Sequence, residues 1–178
     1  MKFSPTSVEG VVLVEQERHS DDRGFFARTW CREEFEKAGL NPLLDQTSVS
    51  FNQRRGTLRG MHWQAKPHGE TKLVRCTQGA IYDVALDLRE GSPTHGKWFA
   101  TELSAENGKA LYIPDGIAHG FQTIQERSEV YYMMAGTYHP DSARGARWND
   151  PQFGIEWPLA EIAHMSERDA DYADWKAG

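Results

Sequence analysis

The sequence predicts a mainly β fold of the jelly-roll or barrel kind, with a few short helices. Many short runs of strand-forming residues are separated by Gly, Pro, Asn and Asp. Several runs alternate apolar and polar residues, as strands with one buried face do; in the run from Lys72, apolar residues are interrupted by Asp83, Asp87 and Arg89. Helix signals are few, and many short strands in 178 residues favour a sheet that folds over on itself.

The predicted elements follow one another along most of the chain. The strands are VVLVEQE from Val11, TLRGMHWQ from Thr57, KLVRCTQGAIYDVALDLR from Lys72, KWFATELS from Lys97, ALYIP from Ala110 and EVYYMMAGTYHP from Glu129. A first helix is predicted in CREEFEKAG, which has acids in its first turn and stops at Gly39. A second helix is predicted in SERDADYADW, which carries the S-x-x-D form of a capped start.

Length and composition favour one domain over residues 1–178, because no repeat, linker or low-complexity tract divides the chain. The net charge of −6 argues against nucleic acid as a partner, although a local basic pocket for one phosphate group stays possible. Cys31 and Cys76 lie far apart and form no disulfide framework or zinc-finger spacing.

The same composition predicts no membrane association and a cytoplasmic location. No apolar run approaches the roughly 20 residues that a bilayer-spanning helix needs. The first residues, MKFSPTSVEGVVLVEQE, lack the charged, apolar and small-residue order of a secretory signal.

Four stretches concentrate reactive side chains. They are DRGFF from Asp22, GTLRGMHWQ from Gly56, IPDGIAHGF from Ile113, and the tyrosine-rich region from Tyr131 to Tyr138. Within TLRGMHWQ, regular strand alternation would place Leu58, Gly60 and His62 on one face. A lone histidine on a strand is most often an ordinary core or surface residue, although an imidazole also suits general-base chemistry.

With QTSVSFN, KLVRCTQGAIYDVALDLR, SPTHGKW, LSAEN, WNDPQFGIEWP and SERDA, these stretches occur in the order found in one family. The chain resembles, over nearly its whole length, the dTDP-4-dehydrorhamnose 3,5-epimerases, which invert stereocentres beside a 4-keto sugar. The resemblance implies a cupin-type jelly-roll β-barrel (a double-stranded β-helix), a nucleotide-diphosphate sugar as substrate, and no cofactor or metal. It also implies a homodimer with exchanged N-terminal strands, in which Arg23 and Phe26 could serve the neighbour's site.

The resemblance implies four catalytic residues. His62 would be the base, oriented by Asp169, and Tyr132 would be the acid on the opposite face of the sugar. Lys72 would stabilise the enolate that forms at the ketone. By itself, Tyr132 would pass for ordinary barrel packing, and only one of Tyr131 and Tyr132 can face inward, because neighbours on a strand point to opposite sides.

The resemblance also implies a set of substrate-binding residues. Arg59 and His119 would donate to sugar and phosphate oxygens, together with Lys72. The positions around the nucleotide would be Arg23, Phe26, Gln46, Ser48, Tyr138 and Arg168. Trp148, Trp157 and Pro158 are assigned to packing or to a lid, with no chemistry.

Two positions depart from the family pattern near the nucleotide end of the ligand. Arg28 stands where the family has an acid, and Ala143 stands where it has a glutamate. The nucleobase, the sugar, and whether C3, C5 or both are inverted therefore stay open.

Two other function classes are compatible with parts of the sequence. A metal-binding cupin is suggested by the G-x5-P-x-G-x2-H motif from Gly108 to His119, with His68 and Glu70 as further donors; the first cupin motif supplies only His62. A non-catalytic sugar-binding cupin would keep Arg59 but lose the base or the acid, and this chain has both. Bound metal in the purified protein would identify the first class.

Overall fold

A computed structural model describes residues 1–176 of the protein. Positions 177 and 178, the last two of the predicted domain, lie outside the described residues. Short strands make up most of the regular structure: β1 (Lys2–Pro5), β2 (Val12–Glu15), β3 (Arg18–Asp21), β4 (Gly24–Ala27), β5 (Gln46–Asn52), β6 (Leu58–Gln64), β7 (Thr71–Gln78), β8 (Ala80–Asp87), β9 (Trp98–Ser104), β10 (Lys109–Ile113), β11 (Ile117–Thr123), β12 (Ser128–Ala135) and β13 (Ala143–Gly145). The α-helices are α1 (Arg32–Lys37) and α2 (Glu167–Ala170), and a short 3₁₀ helix spans Pro140–Ser142.

The strands form two large antiparallel sheets and a separate hairpin. The six-stranded sheet has the order β1-β2-β10-β7-β12-β5, and the five-stranded sheet has the order β13-β6-β11-β8-β9. Strands β3 and β4 pair only with each other, and we call this hairpin the arm. Phe25 and Phe26 on the arm are 53% and 76% exposed, which is unusual for large apolar side chains.

The main hydrophobic core lies between the two sheets. It takes side chains from both, including Val74 and Cys76 of β7, Ile81 of β8 and Phe121 of β11. The mainly β architecture with short helices is the one the sequence predicts, since each long strand turns one apolar face toward the opposite sheet.

The outer face of the five-stranded sheet is also buried, which corrects the prediction that β8 is a strand with one buried face. Val84 and Leu86 point outward from β8 and pack under the C-terminal segment, against Phe153 and Trp157. Asp83 and Asp87 are fully buried rather than solvated. The sequence pattern misleads because β8 is covered on both sides, by a sheet on one and by an irregular segment on the other.

The two predicted helices are present and short. In α1, Phe35 is buried against the outer face of the six-stranded sheet, and Glu33 and Glu34 occupy the first turn. At α2, the side chain of Ser166 accepts a hydrogen bond from the backbone N–H of Asp169, which is the predicted cap. Among residues 1–176, no helix has the length and apolar character needed to cross a membrane.

Candidate active site

The predicted base and its partner meet across about a hundred residues of sequence. The Nε2 atom of His62 lies 2.7 Å from Oδ1 of Asp169. Asp169 Oδ2 also accepts from the backbone N–H of Gly60 at 3.2 Å. Burial would raise the pKa of Asp169, but the hydrogen bonds from His62, Gly60 and Ser166 outweigh it and lower that pKa. The ionised carboxylate favours a proton on Nε2, which leaves Nδ1 of His62 free to accept one.

A bulge in β6 sets which side chains share a face with His62. The pairing with β11 matches His62 with His119 and Arg59 with Phe121, so β6 uses one more residue than β11 over this stretch. Arg59 and His62 therefore both face the space between the sheets. The prediction that Leu58 shares the face of His62 is wrong, because it assumed unbroken alternation.

Gly60 lies at this bulge and allows the two strands to come close together. Its φ of +126° is one that side-chain-bearing residues rarely adopt, and a Cβ there would overlap the backbone of Gly120 on β11. Glycine at position 60 thus lets the strands that carry His62 and His119 approach each other.

His119 has a carboxylate partner of its own, which sequence reasoning missed. Its Nε2 lies 2.7 Å from Oδ1 of Asp83, and both side chains are buried. The other oxygen, Oδ2 of Asp83, is buried and accepts no hydrogen bond from residues 1–176. Burying a polar group without a hydrogen bond is costly, so this oxygen is available to a donor in the cavity. The available signal was an aspartate at an inward position of an apolar strand, beside Ile81 and Ala85.

Tyr132 is the inward-facing tyrosine of its pair. It packs against the inner core with Val130, two residues away on the same face of β12, and its ring centroid lies 5.9 Å from that of His119. Desolvation and the nearby Asp83 carboxylate raise the pKa of Tyr132 well above its usual value. The phenol therefore holds its proton at neutral pH, as a general acid must.

Lys72 points into the barrel, on the same face of β7 as Val74 and Cys76. It is 8% exposed, and its ammonium lies 3.1 Å from a carboxylate oxygen of Glu70 and 3.3 Å from the carbonyl oxygen of His62. The ammonium is thus held beside the candidate base.

Two adjoining cavities bring most of the predicted residues together. One, of about 340 Å³, is lined by Ser50, Arg59, His62, His119, Phe121, Tyr132, Ser166, Arg168 and Asp169. The other, of about 220 Å³, is lined by His62, Trp63, Gln64, Glu70, Lys72, Tyr138, Ala143, Arg144 and Arg168. A larger open groove of about 1030 Å³ shares Trp63 and Gln64 with the second cavity but contains none of the predicted residues. Most of the predicted residues therefore surround the two smaller cavities, which share His62 and Arg168.

The remaining predicted residues lie at the mouth of the cavities or away from them. Ser48 is directly paired with Tyr132 and shares a face of β5 with Gln46 and with Ser50, a lining residue that was not predicted. Arg23 and Phe26 are on the exposed arm, and Arg23 forms an ion pair with Asp21. They do not line either cavity of this chain.

The two departures from the family pattern occupy different places. Arg28 follows the arm and donates to Glu34 of α1 at 2.9 Å, so its charge is already paired. Ala143 lines the second cavity, where its small side chain leaves space beside Tyr138 and Arg144.

Comparison with known proteins gives one family. The family model for dTDP-4-dehydrorhamnose 3,5-epimerase matches residues 5–177. A dTDP-4-dehydrorhamnose 3,5-epimerase of Sinorhizobium fredii is 41% identical over 170 residues, which cover 96% of this chain and 87% of that protein. A dTDP-4-dehydrorhamnose 3-epimerase of Streptomyces niveus is 38% identical over 96% of this chain and 82% of its own.

Solved structures agree with the sequence matches. The crystal structure of dTDP-4-dehydrorhamnose 3,5-epimerase from Bacillus anthracis, with TDP and PPi bound, superposes with a TM-score of 0.94. It is 37% identical and covers 98% of this chain and 99% of that one. The fold is accordingly the cupin-type jelly roll that the sequence resemblance implies.

Proposed function

Because the chain belongs to the dTDP-4-dehydrorhamnose 3,5-epimerase family, we propose that it epimerises a dTDP-linked 4-keto-6-deoxy sugar at C3, at C5 or at both. One observation carries the chemistry: the His62–Asp169 pair, at 2.7 Å, opens onto the same cavity as Tyr132. A carboxylate-oriented imidazole and a protonated phenol are the base and the acid that inversion beside a ketone requires.

The reaction proceeds in two proton transfers. His62 takes the proton from the carbon next to the ketone, and the electron pair of that C–H bond forms an enolate. The Lys72 ammonium stabilises the enolate oxygen, which matters because such a proton is a poor acid until its anion is stabilised. Tyr132 then gives its proton to the same carbon from the other face, and exchange with solvent restores both side chains.

Substrate binding uses the cations at the two cavities. Arg59, held by Asn52 at 2.8 Å, and His119 donate to the sugar and phosphate oxygens, and Arg168, which lines both cavities, belongs with the residues around the nucleotide. Gln46, Ser48 and Tyr138 lie toward the nucleotide. This assignment follows the resemblance residue by residue, and the placement of these side chains around one space supports it.

We also propose that two copies of the chain complete each site. Strand β5 is an edge of the six-stranded sheet, with Val49 55% and Phe51 42% exposed. Exposed apolar edge strands are usually covered in native proteins, and the arm of a second copy, with its exposed Phe25 and Phe26, offers a covering segment. Arg23 and Phe26 would then reach the neighbour's nucleotide. The cytoplasmic location stays a prediction.

The metal-binding alternative is not favoured. Within residues 1–176, no three side chains of His, Cys, Asp or Glu come together in a group that could hold an ion. His62 and His119 instead each bond to a single carboxylate. Dialysis against a chelator should therefore leave activity unchanged, whereas loss of activity that added metal restores would favour the alternative.

Deuterium exchange tests the proposed function directly. dTDP-4-keto-6-deoxyglucose is incubated with the protein in deuterated water, and C3 and C5 are followed by NMR. Label at both carbons identifies a 3,5-epimerase, and label at one identifies a single-centre epimerase. No label with the wild-type protein would contradict the proposal.

A pair of histidine variants assigns the base in the same assay. His62→Ala should abolish both turnover and exchange. His95→Ala, which removes an exposed histidine on a distant loop, should leave both unchanged. Full exchange in His62→Ala would contradict the assignment of His62 as the base.

A further inference from the structure

We propose that Tyr172 is a positioning residue that holds both the His62 imidazole and the Arg168 guanidinium, and that position 145 is glycine to make room for the Tyr172 ring. The inference rests on the proposed function, since it concerns the same base and the same cation. It adds a residue that lines neither cavity and that sequence motifs did not single out.

The His62 imidazole needs support beyond Asp169. Its side chain is 41% exposed, so one hydrogen bond through Nε2 leaves the ring able to swing toward solvent. The Tyr172 ring stands at 67° to it, with the centroids 6.3 Å apart, which is the edge-to-face arrangement that aromatic pairs favour. Asp169 and Tyr172 come from one short stretch, so α2 and the residues just after it hold the imidazole at two points.

Gly145 lies directly opposite His62 in the β13–β6 pairing. A Cβ at position 145 would overlap the far end of the Tyr172 ring, including Cζ and the hydroxyl oxygen. The backbone of Gly145 is not in the left-handed region, so conformation does not require glycine there. The space that a side chain at position 145 would occupy is instead filled by the Tyr172 ring, next to His62.

The hydroxyl group of Tyr172 has a separate contact. Arg168 donates from Nε to this oxygen at 2.9 Å, and its guanidinium carbon lies 6.0 Å from the ring centroid. Arg168 lines both cavities. The ring of Tyr172 therefore supports the base, while its hydroxyl holds a cation assigned to substrate binding, and the two contributions can be measured separately.

Two substitutions at position 172 separate the contribution of the ring from that of the hydroxyl group. Tyr172→Phe keeps the ring and removes the acceptor for Arg168, so KM should rise by about three- to tenfold with kcat nearly unchanged. Tyr172→Leu also removes the aromatic edge, so kcat should fall about three- to tenfold in addition to the rise in KM. Tyr82→Phe, on the outer face of β8, is the matched control and should match wild type. Wild-type kcat and KM in Tyr172→Leu would overturn the inference.

A double-mutant cycle tests the role of Gly145. Gly145→Ala should displace the Tyr172 ring and reproduce the kinetic effect of Tyr172→Leu. In the Tyr172→Leu background, the same Gly145→Ala change should have little further effect, because the ring is already gone. Equal losses from Gly145→Ala in both backgrounds would show that Gly145 acts in another way and would overturn the assignment.

A measurement without substrate keeps this inference separate from the proposed function. In the free protein, the ¹⁵N signals of the His62 imidazole should report one tautomer, protonated on Nε2, and Tyr172→Leu should mix the tautomers or broaden the signals. Unchanged signals in Tyr172→Leu would overturn the positioning role even if the wild-type enzyme is active. Absence of deuterium exchange in the wild type would instead contradict the proposed function alone.

Discussion

The Asp169 carboxylate lies 2.7 Å from Nε2 of His62, the proposed base, so the charge of Asp169 should matter more than its size. Asp169→Asn keeps the shape but removes the carboxylate that favours the Nε2 proton of His62. We expect the deuterium-exchange rate to fall by about a hundredfold, within the range that general acid–base groups contribute. Asp171→Asn, an exposed carboxylate two residues away, is the control. An exchange rate near wild type in Asp169→Asn would contradict the role of this pair.

Replacing Asp83 should preserve or raise the stability of the protein while lowering its activity. Its Oδ2 is buried and accepts no hydrogen bond from the described part of the chain, so the charge costs folding free energy that an uncharged amide would not. Asp83→Asn should therefore melt at the wild-type temperature or above it, while kcat/KM falls about tenfold because His119 loses its anionic partner. Thermal melts and exchange rates measured on the same samples test both parts. Full activity would make the Asp83–His119 pair purely structural.

The resemblance supplied the identities of the candidate site residues, but physical reasoning from single positions did not. His62 and Tyr132 have ordinary structural interpretations on their own strands, and nothing in the spacing brings Asp169 to His62. Asp83 and Tyr172 were missed for a related reason. Asp83 meets His119 of the neighbouring strand β11, and the proposed role of Tyr172 depends on how the C-terminal segment packs, so both depend on contacts between residues far apart in the sequence.

The loop between β8 and β9 is organised by one buried carboxylate. Asp87 accepts hydrogen bonds from Arg89, Ser92 and Thr94. Burial would raise the pKa of Asp87, but these hydrogen bonds outweigh it and lower that pKa well below its ordinary value of 3.8. Because the folded-state pKa is the lower one, the stabilisation is present above pH 3.8 and is lost as the pH falls toward the folded-state value.

The charge of Asp87 should stabilise the folded protein through the hydrogen bonds of this loop. Asp87→Asn should lower the free energy of unfolding by about 2 kcal/mol at pH 7, since hydrogen bonds to a charged group are lost. The difference from wild type should shrink as the pH is lowered below 3.8. Urea unfolding at several pH values measures this difference in the free energy of unfolding. Glu90→Gln is the control, because Glu90 is an exposed acid of the same loop. A difference that grows toward low pH would contradict the assignment.

At the same scale, the sequence patterns predicted the strands β2, β6, β7, β8, β9, β10 and β12. They missed the edge strand β5, although one of its faces meets the core, and the fully covered strand β11. Strand β11 is buried at every position and contains Gly120, so it shows no alternation. Strand β8 does alternate apolar and polar residues, but both of its faces are buried, whereas the pattern predicted that one face meets solvent. The bulge in β6 could not be predicted, because it depends on the close approach of β11 at Gly60.

At the scale of the whole molecule, the apolar surface that the fold leaves open supports the proposal that a second copy covers it. The two sheets bury their facing sides, and the C-terminal segment and α1 cover much of the outer sides. Exposed apolar side chains remain on β5 and on the arm. Sequence patterns alone could not predict which apolar side chains stay exposed, because the strand order determines which strand becomes an edge.

Mixing two impaired variants, assayed at a substrate concentration too low for either to be active alone, tests whether the arm serves the neighbouring subunit. His62→Ala lacks the base, and Arg23→Ala weakens nucleotide binding. In a hybrid dimer with exchanged arms, one site carries both defects and the other carries neither. Equal amounts refolded together should therefore recover about a quarter of wild-type activity, because half of the dimers are hybrids with one intact site each. Wild type refolded with His62→Ala controls for losses during refolding. If Arg23 instead serves its own subunit, every hybrid site keeps one defect, and the mixture should stay as inactive as its components.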